Sequence, residues 1–348
     1  MNRMILVLLT TILFENFTFA QEKQFQIRTI AFYNLENLFD TINNTSKNDE
    51  ASPIMELRTN KSAVYKDKID KLGKVLSQIG VEKASNSPVI IGVVEIENDT
   101  VLSDLIKGDF LKDKGYRFIH YESPDERGID VGLLYQEKYF KPIHHKSYEL
   151  KIFSKQGKRI FTRDQLLVSG YLDNELIHVI VNHWPSKRGG SKSIPYRKKA
   201  ALLNLRIIVD VRREEPLAKI ITMGDFNDDP IEPSFKEILK TKSEKEELQK
   251  NDLYNPYESM YARGLNTAGY RDNINLFDQI IVSSQFVTIT SQYASYKLYQ
   301  ANIFNPKFLI NNYGRFKGYP KRSFSYGKYT GGYSDHFPSY IYLIREVK

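Results

Sequence analysis

Residues 220–230 read Ile-Ile-Thr-Met-Gly-Asp-Phe-Asn-Asp-Asp-Pro, and this stretch decides the class of fold. The apolar run 220–223 reads as a buried strand. Gly224 breaks it and lets the backbone come close to a bound group. Asp225 and Asn227 are two positions apart, so on an extended tip both point the same way. Asp229 and Pro230 then open a short helix, with Asp229 as its N-cap and Pro230 in the first turn. A carboxylate and an amide thus stand side by side at the carboxyl end of a strand, where sheet-based enzymes place their chemistry. On its own, the stretch fits a capped strand–turn–helix corner equally well.

Four other polar clusters lie at the ends of apolar runs. The stretch 26–33 alternates as a strand does and leads into Asn34-Leu-Glu-Asn37, with Asn34 and Glu36 again two apart. Residues 88–94 form a continuous apolar run, a fully buried strand, closed by Glu95. A carboxylate in that place needs a metal ion or an arginine, because an isolated buried charge is costly. The run 176–181 ends in Asn182-His183-Trp184-Pro185 and a basic glycine loop, Ser186-Lys-Arg-Gly-Gly190. His183 therefore stands at a strand end beside the only tryptophan, a place suited to a catalyst or to a satisfied structural histidine. Asp335 and His336 precede a last strand over 340–344. Asp278, near the start of a strand over 277–282, either holds a histidine in one tautomer or caps a turn.

Between these clusters, Tyr65, Ile69, Leu72, Leu76 and Ile79 form the apolar face of a helix over 61–79 that Gly80 ends. Ser193 and Pro195 open a second helix running to about Arg213, with Leu203, Ile207, Ile208 and Val211 facing inward. Further strands are expected over 116–121, 130–135, 143–150 and 161–168, the last two flanking a Gln156-Gly157 turn. Phe235, Ile238 and Leu239 support a short helix. Neither an internal repeat nor a linker rich in Pro, Gly or Ser divides the chain. The reading is one α/β domain of mixed sheet over residues 21–348.

Bulk properties narrow the function. The chain has 348 residues, 41% apolar and 26% charged, which argues against disorder. It has no cysteine, which excludes disulfides and thiolate metal sites. Arg3, the apolar run 4–14 and the small residues before Gln21 read as a signal peptide over residues 1–20, interrupted by Glu15 and too short for a membrane anchor. The mature protein is therefore expected to be secreted or periplasmic. The net charge of +8 is clustered: residues 176–209 and 279–334 contain no acid but many lysines and arginines. Such surfaces attract phosphate-rich partners. Residues 304–333 also interleave aromatics with cations, suited to stacking bases and holding phosphates, or to a twisted hairpin packed on the core.

Carboxylates and amides with few histidines suit Mg2+ or Mn2+, which prefer oxygen ligands and retained waters. Histidines beside such an ion suit phosphate-ester hydrolysis. At this point the chain resembles the endonuclease/exonuclease/phosphatase superfamily. The resemblance rests on YNLEN, VVEIEN, RGIDVGLLY, NHWPSKRGG, GDFND, FDQIIVS and SDHFP, met in the family's order across almost the whole mature chain. It implies a four-layer α/β/β/α sandwich of two packed mixed sheets with the site at one end. It further implies that Glu95 is the chief metal ligand, with Asn34 and Asp335 close to the ion. Glu36 stands where the family often has an aspartate. Asp225 would orient or deprotonate the attacking water, and Asn227 would bind the phosphate. His336, oriented by Asp278, would contact the phosphate, and His183 would assist at the phosphate or leaving group. Arg127 and Arg197 match basic positions only loosely. The implied activity is metal-dependent hydrolysis of phosphate esters, with nucleic acid as the expected substrate and a phosphorylated small molecule or phospholipid as the alternative. No obligate protein partner is expected.

Overall fold

The computed structural model describes residues 23–270, 273–288 and 292–347; the expected leader over 1–20 lies outside them. In chain order the main elements are β1 (Gln24–Leu38), α1 (Lys61–Gln78), β2 (Ile90–Ile96), α2 (Asp99–Lys107), β3 (Tyr116–Tyr121) and β4 (Asp130–Gln136). There follow β5 (Phe140–Tyr148), β6 (Gln165–Leu172), β7 (Glu175–His183), α3 (Ile194–Glu214) and β8 (Ile220–Asp225). The last are β9 (Leu253–Tyr254), β10 (Asp278–Ser283), β11 (Lys297–Ile303) and β12 (Ser339–Val347).

Two crossovers organise these elements. β1 passes through α1 into β2, its parallel neighbour, and β7 passes through α3 into β8, likewise its parallel neighbour. Antiparallel strands flank each parallel pair. One six-stranded sheet has the order β11-β12-β1-β2-β4-β3, the other β9-β10-β8-β7-β6-β5.

The sequence alternation explains how the sheets stack. Ile30 and Phe32 of β1 join Ile221 and Met223 of β8 and Ile280 and Val282 of β10 in one core between the sheets. Ala31 and Tyr33 face the other way, onto Leu72, Leu76 and Leu102 of α1 and α2. Ile220 and Ile281 meet Ile207, Ile208 and Val211 of α3 on the far side of the second sheet. The result is the four-layer α/β/β/α sandwich, in which each fully buried aliphatic side chain contributes about 1.5–3 kcal/mol. The sheets approach closely at Gly92, where a Cβ would lie 2.6 Å from Met223 Sδ.

Most expected elements are present, with shifted ends. Gly80 follows α1 with φ +70°, as a helix stop requires. The strands expected over 143–150 and 161–168 occupy Phe140–Tyr148 and Gln165–Leu172 instead. Between them a two-residue hairpin, Ile152–Phe153 with Arg159–Ile160, forms around the Gln156-Gly157 turn and stands off the main sheet. The helix near Phe235 is a π-helical turn, Ser234–Leu239, with Pro233 at its N-cap. Asp229 is therefore not the cap. Its carboxylate accepts from Leu276 N at 2.8 Å and pairs with Lys187 at 3.0 Å. The 304–333 segment divides between both expectations. Leu309, Phe324 and Tyr333 are buried, whereas Tyr313 and Tyr326 are about nine-tenths exposed, at 89% and 91%.

Candidate active site

The topology brings the polar clusters to one edge. Parallel neighbours end together, and the antiparallel strands beside them begin where they end. Asp225, last in β8, is thus in register with His183, last in β7, and with Asp278, first in β10. Period-two alternation aims them. Val179 and Val181 face the inter-sheet core, so His183 does too; Ile221 and Met223 set Asp225 likewise, Ile280 and Val282 set Asp278, and Ile30 and Phe32 set Asn34.

Glu95 reaches the same place by breaking the alternation. Val94 pairs with Val131 and Ile96 with Asp130, which leaves Glu95 as the extra residue of a β-bulge. Its φ is +60°, an uncommon conformation for a residue with a side chain. β1 has a matching irregularity between Asn34 and Leu38, with Glu36 and Asn37 at φ +49° and +51°. Asn227, after β8, has φ +50°. Four strained residues therefore surround one cleft, as at sites where backbone geometry serves function.

The side chains then converge. Asn34 Nδ2 donates to Glu95 Oε1 at 3.2 Å and to Asp225 Oδ2 at 3.1 Å. His183 Nε2 lies 3.9 Å from Glu95 Oε1 and 3.7 Å from Asp225 Oδ2. His336 Nε2 is 3.9 Å from Asp225, and its Nδ1 is 2.7 Å from Asp278 Oδ2. Asp225 Oδ1 accepts from Asn227 N at 3.0 Å. Glu95, His183 and Asp225 offer three ligand atoms within 4.8 Å of one another, close enough to share one ion.

Burial and charge divide the two histidines. Burial, reinforced by the Arg163 and Arg127 cations, holds His183 well below the ordinary histidine range, so its ring is neutral. Burial works in the same direction on His336, but Asp278 and Asp225 outweigh it and hold that ring well above the range, as an imidazolium. Burial also raises the Asp225 carboxyl, against the pull of the His336 cation.

Residues 29–345 match the Endonuclease/Exonuclease/phosphatase family. The chain belongs to this family. Among solved structures, one endonuclease/exonuclease/phosphatase family protein from Bacteroides thetaiotaomicron is 15% identical, with TM-score 0.55 over 93% of this chain and 100% of that one. D. rerio TDP2 complexed with single-strand DNA product is 14% identical, with TM-score 0.51 over 91% and 98% of the two chains. The Bacteroides thetaiotaomicron mannosyl-6-phosphatase Bt3783 is 16% identical, with TM-score 0.53 over 91% and 99%. At these identities the likeness is one of fold. No curated protein matches the chain by sequence. As a member of the endonuclease/exonuclease/phosphatase family the protein is a phosphoesterase, in a family whose enzymes generally use divalent metals.

Within this phosphoesterase site several details depart from expectation. Asn34 presents its NH2 to the carboxylates, while its Oδ1 accepts from Glu36 N at 2.9 Å, so as placed it ties Glu95 to Asp225 rather than offering an oxygen. Asp335 lies at the rim, salt-bridged to Arg322 at 3.2 Å and 4.0 Å from His336 Nε2. It is outside the tight Glu95–His183–Asp225 group. The Glu36 carboxylate turns away, accepting from Ser323 Oγ at 2.7 Å and Arg322 Nε at 3.1 Å. Gly224 serves strand packing and not a bound group, since a Cβ there would lie 2.3 Å from the Asn182 carbonyl oxygen. Arg197 is buried against Asp228 and Ser193, and Arg127 forks onto Asp125 at 3.1 and 3.2 Å.

Sequence reasoning missed Arg163, Arg322 and Lys68. Arg163 is buried, bonds Trp184 O at 2.6 Å and pairs with Asp125 at 3.3 Å. Lys68, buried on α1, donates to the Glu36 carbonyl and to Ser323 Oγ, fastening the aromatic segment to the end of β1. Lys68 stands inside the apolar face of its helix, between Tyr65 and Ile69, and that position was the available signal.

Proposed function

We propose that the protein is an exported, divalent-metal-dependent phosphodiesterase that cleaves nucleic acid. The convergence of Asn34, Glu95, His183, Asp225 and His336 on one cleft carries this reading. The Glu95 carboxylate would hold Mg2+ or Mn2+, with waters completing the shell and Asp225 beside it. When bound, the ion supplies positive charge against the phosphate and the leaving oxygen. Asp225, raised by burial and held by Asn227 N–H, orients and deprotonates the attacking water. Asn227 Nδ2 and His336 Nε2–H donate to phosphate oxygens, with Asp278 fixing the His336 ring. Neutral His183 contacts the phosphate on the leaving-group side. Asp335 stands at the rim of the ion site through Arg322.

The acid-free basic stretches and the TDP2 relative complexed with single-strand DNA favour nucleic acid. The mannosyl-6-phosphatase relative favours a second reading, a phosphorylated small molecule, with a phospholipid as a further member of the panel. Purified protein is incubated with plasmid DNA, RNA, sphingomyelin and mannose 6-phosphate, with Mg2+, Mn2+, Ca2+ or EDTA. Metal-dependent cleavage of DNA or RNA is expected; release of phosphate or phosphocholine without it would replace the nuclease reading. Export is checked by amino-terminal sequencing, which should begin at Gln21.

A further inference from the structure

We propose that a second cavity beside the catalytic cleft is a subsite for a nucleobase of the substrate. The cavity, of about 230 Å³, lies between the loop carrying Arg127, the small Ile152–Ile160 hairpin and the first turns of α3. Ile152, Phe161 and Tyr196 line it together with Thr162 and Arg163. Thr162 and Arg163 are 3% and 5% exposed, yet neither Thr162 Oγ1 nor Arg163 Nε has a hydrogen-bond partner among the described residues. A buried polar group left unpaired costs about 1–3 kcal/mol. Two such groups on one cavity point to a ligand that completes them. Phe161 is 44% exposed, with the Arg159 guanidinium 5.2 Å from its ring centroid.

The cavity adjoins the reacting groups. Arg163 Nη2 and Asn227 Nδ2 donate to the same carbonyl oxygen, that of Trp184, at 2.6 and 3.1 Å, and Trp184 follows His183 in the chain. A substituent next to a phosphate held by Asn227 and His183 is therefore within reach. The charge balance selects its chemistry. Arg127 and Arg163 both pair with Asp125, and Glu126 also lines the cavity, so the formal charges cancel. A second phosphate would meet no surplus cation. A flat, neutral heterocycle meets the Phe161 face, and a small shift of the wall brings its edge to Thr162 Oγ1 and Arg163 Nε–H, both closed to solvent as they stand. This inference rests on the nucleic-acid reading and adds that the base flanking the scissile phosphate is held here.

Wild type, Phe161→Ala and Thr162→Val are compared, as full chains with Mg2+, on a dinucleoside monophosphate and its two singly abasic counterparts. Removing one of the two bases should lower wild-type kcat/KM on the order of tenfold. The same removal should cost Phe161→Ala less than about twofold, because the stacking partner is already gone, with Thr162→Val between the two. Turnover of methyl p-nitrophenyl phosphate should be equal in all three, which controls for folding and chemistry. Equal sensitivity to base removal in wild type and Phe161→Ala overturns the subsite and leaves the nuclease reading intact. If the p-nitrophenyl ester is cleaved and the dinucleotide is not, the nuclease reading fails. Calorimetric titration with adenosine then decides the subsite: binding weakened about tenfold by Phe161→Ala upholds it, and equal or absent binding overturns it.

Discussion

Asp278 Oδ2 lies 2.7 Å from His336 Nδ1, and the other nitrogen of that ring lies 3.9 Å from Asp225. Asp278 opens a strand of the second sheet, whereas His336 precedes a strand of the first, so this one contact sets an imidazolium across the sandwich. Asp278→Asn keeps the shape and removes the charge. Turnover should fall about 10–100-fold, as for other groups that orient a functional histidine, and the melting temperature should fall with it, because the buried His336 ring loses its main counter-charge. Steady-state kinetics beside a melting curve checks it; unchanged kcat would remove Asp278 from the mechanism.

Glu95 and Asp225 are held close together by one amide, and a cation should relieve their repulsion. EDTA should abolish activity, and Mg2+ or Mn2+ should restore it. Saturating ion should also raise stability, by about 2.7 kcal/mol at a hundredfold excess over Kd. Glu95→Gln should lose most of that stabilisation. A melting curve insensitive to the ion in wild type would argue against the site.

His120, away from the cleft, gives a pH-dependent stability. Its side chain is 3% exposed, with Nδ1 2.7 Å from Asp99 and Nε2 3.1 Å from Asp130. Burial lowers its pKa, but Asp130 and Asp99 outweigh burial and raise it above the ordinary value. A raised histidine stabilises the fold fully below its unfolded pKa and loses that contribution as pH rises through the folded pKa. Wild type should therefore exceed His120→Gln by about 2 kcal/mol near pH 5, and the gap should shrink as pH rises above the ordinary histidine range. Urea denaturation of both proteins across that range reads the gap; a constant difference would contradict the charged pairing.

Gly224→Ala tests how tightly the central strands are set. The added Cβ would meet the Asn182 carbonyl oxygen at 2.3 Å and Asn182 Cβ at 2.6 Å, and backbone cannot swing aside as a side chain can. The expected loss is about 3 kcal/mol in denaturant unfolding, together with reduced turnover because Asp225 is the next residue. A neutral substitution would mean that the strand spacing is looser than described.

Much of the site was legible because alternation is a local property. Ile30-Ala-Phe-Tyr-Asn34 and Ile221-Thr-Met-Gly-Asp225 state in sequence which side each polar terminus takes, and the structure agrees. Helix α2 was missed although Asn98 caps it, accepting from Thr100 N and Val101 N, ahead of Val101, Leu102 and Leu105. At nine residues its pattern is brief, and its capping amide follows directly on the polar strand end Glu95-Ile-Glu-Asn98. Arg163 and Lys68 were out of reach for a different reason. Their partners lie 21 to 255 positions away, and no local spacing records such pairs.

The bulge at Glu95 has a further consequence. A regular pleat would turn this carboxylate toward the helices, and the single surplus residue both points it into the cleft and returns Ile96 to the outer face. Residue count, then, is as binding here as residue type. Shortening this strand end by one position would leave every functional side chain in the chain and still dismantle the cation's seat.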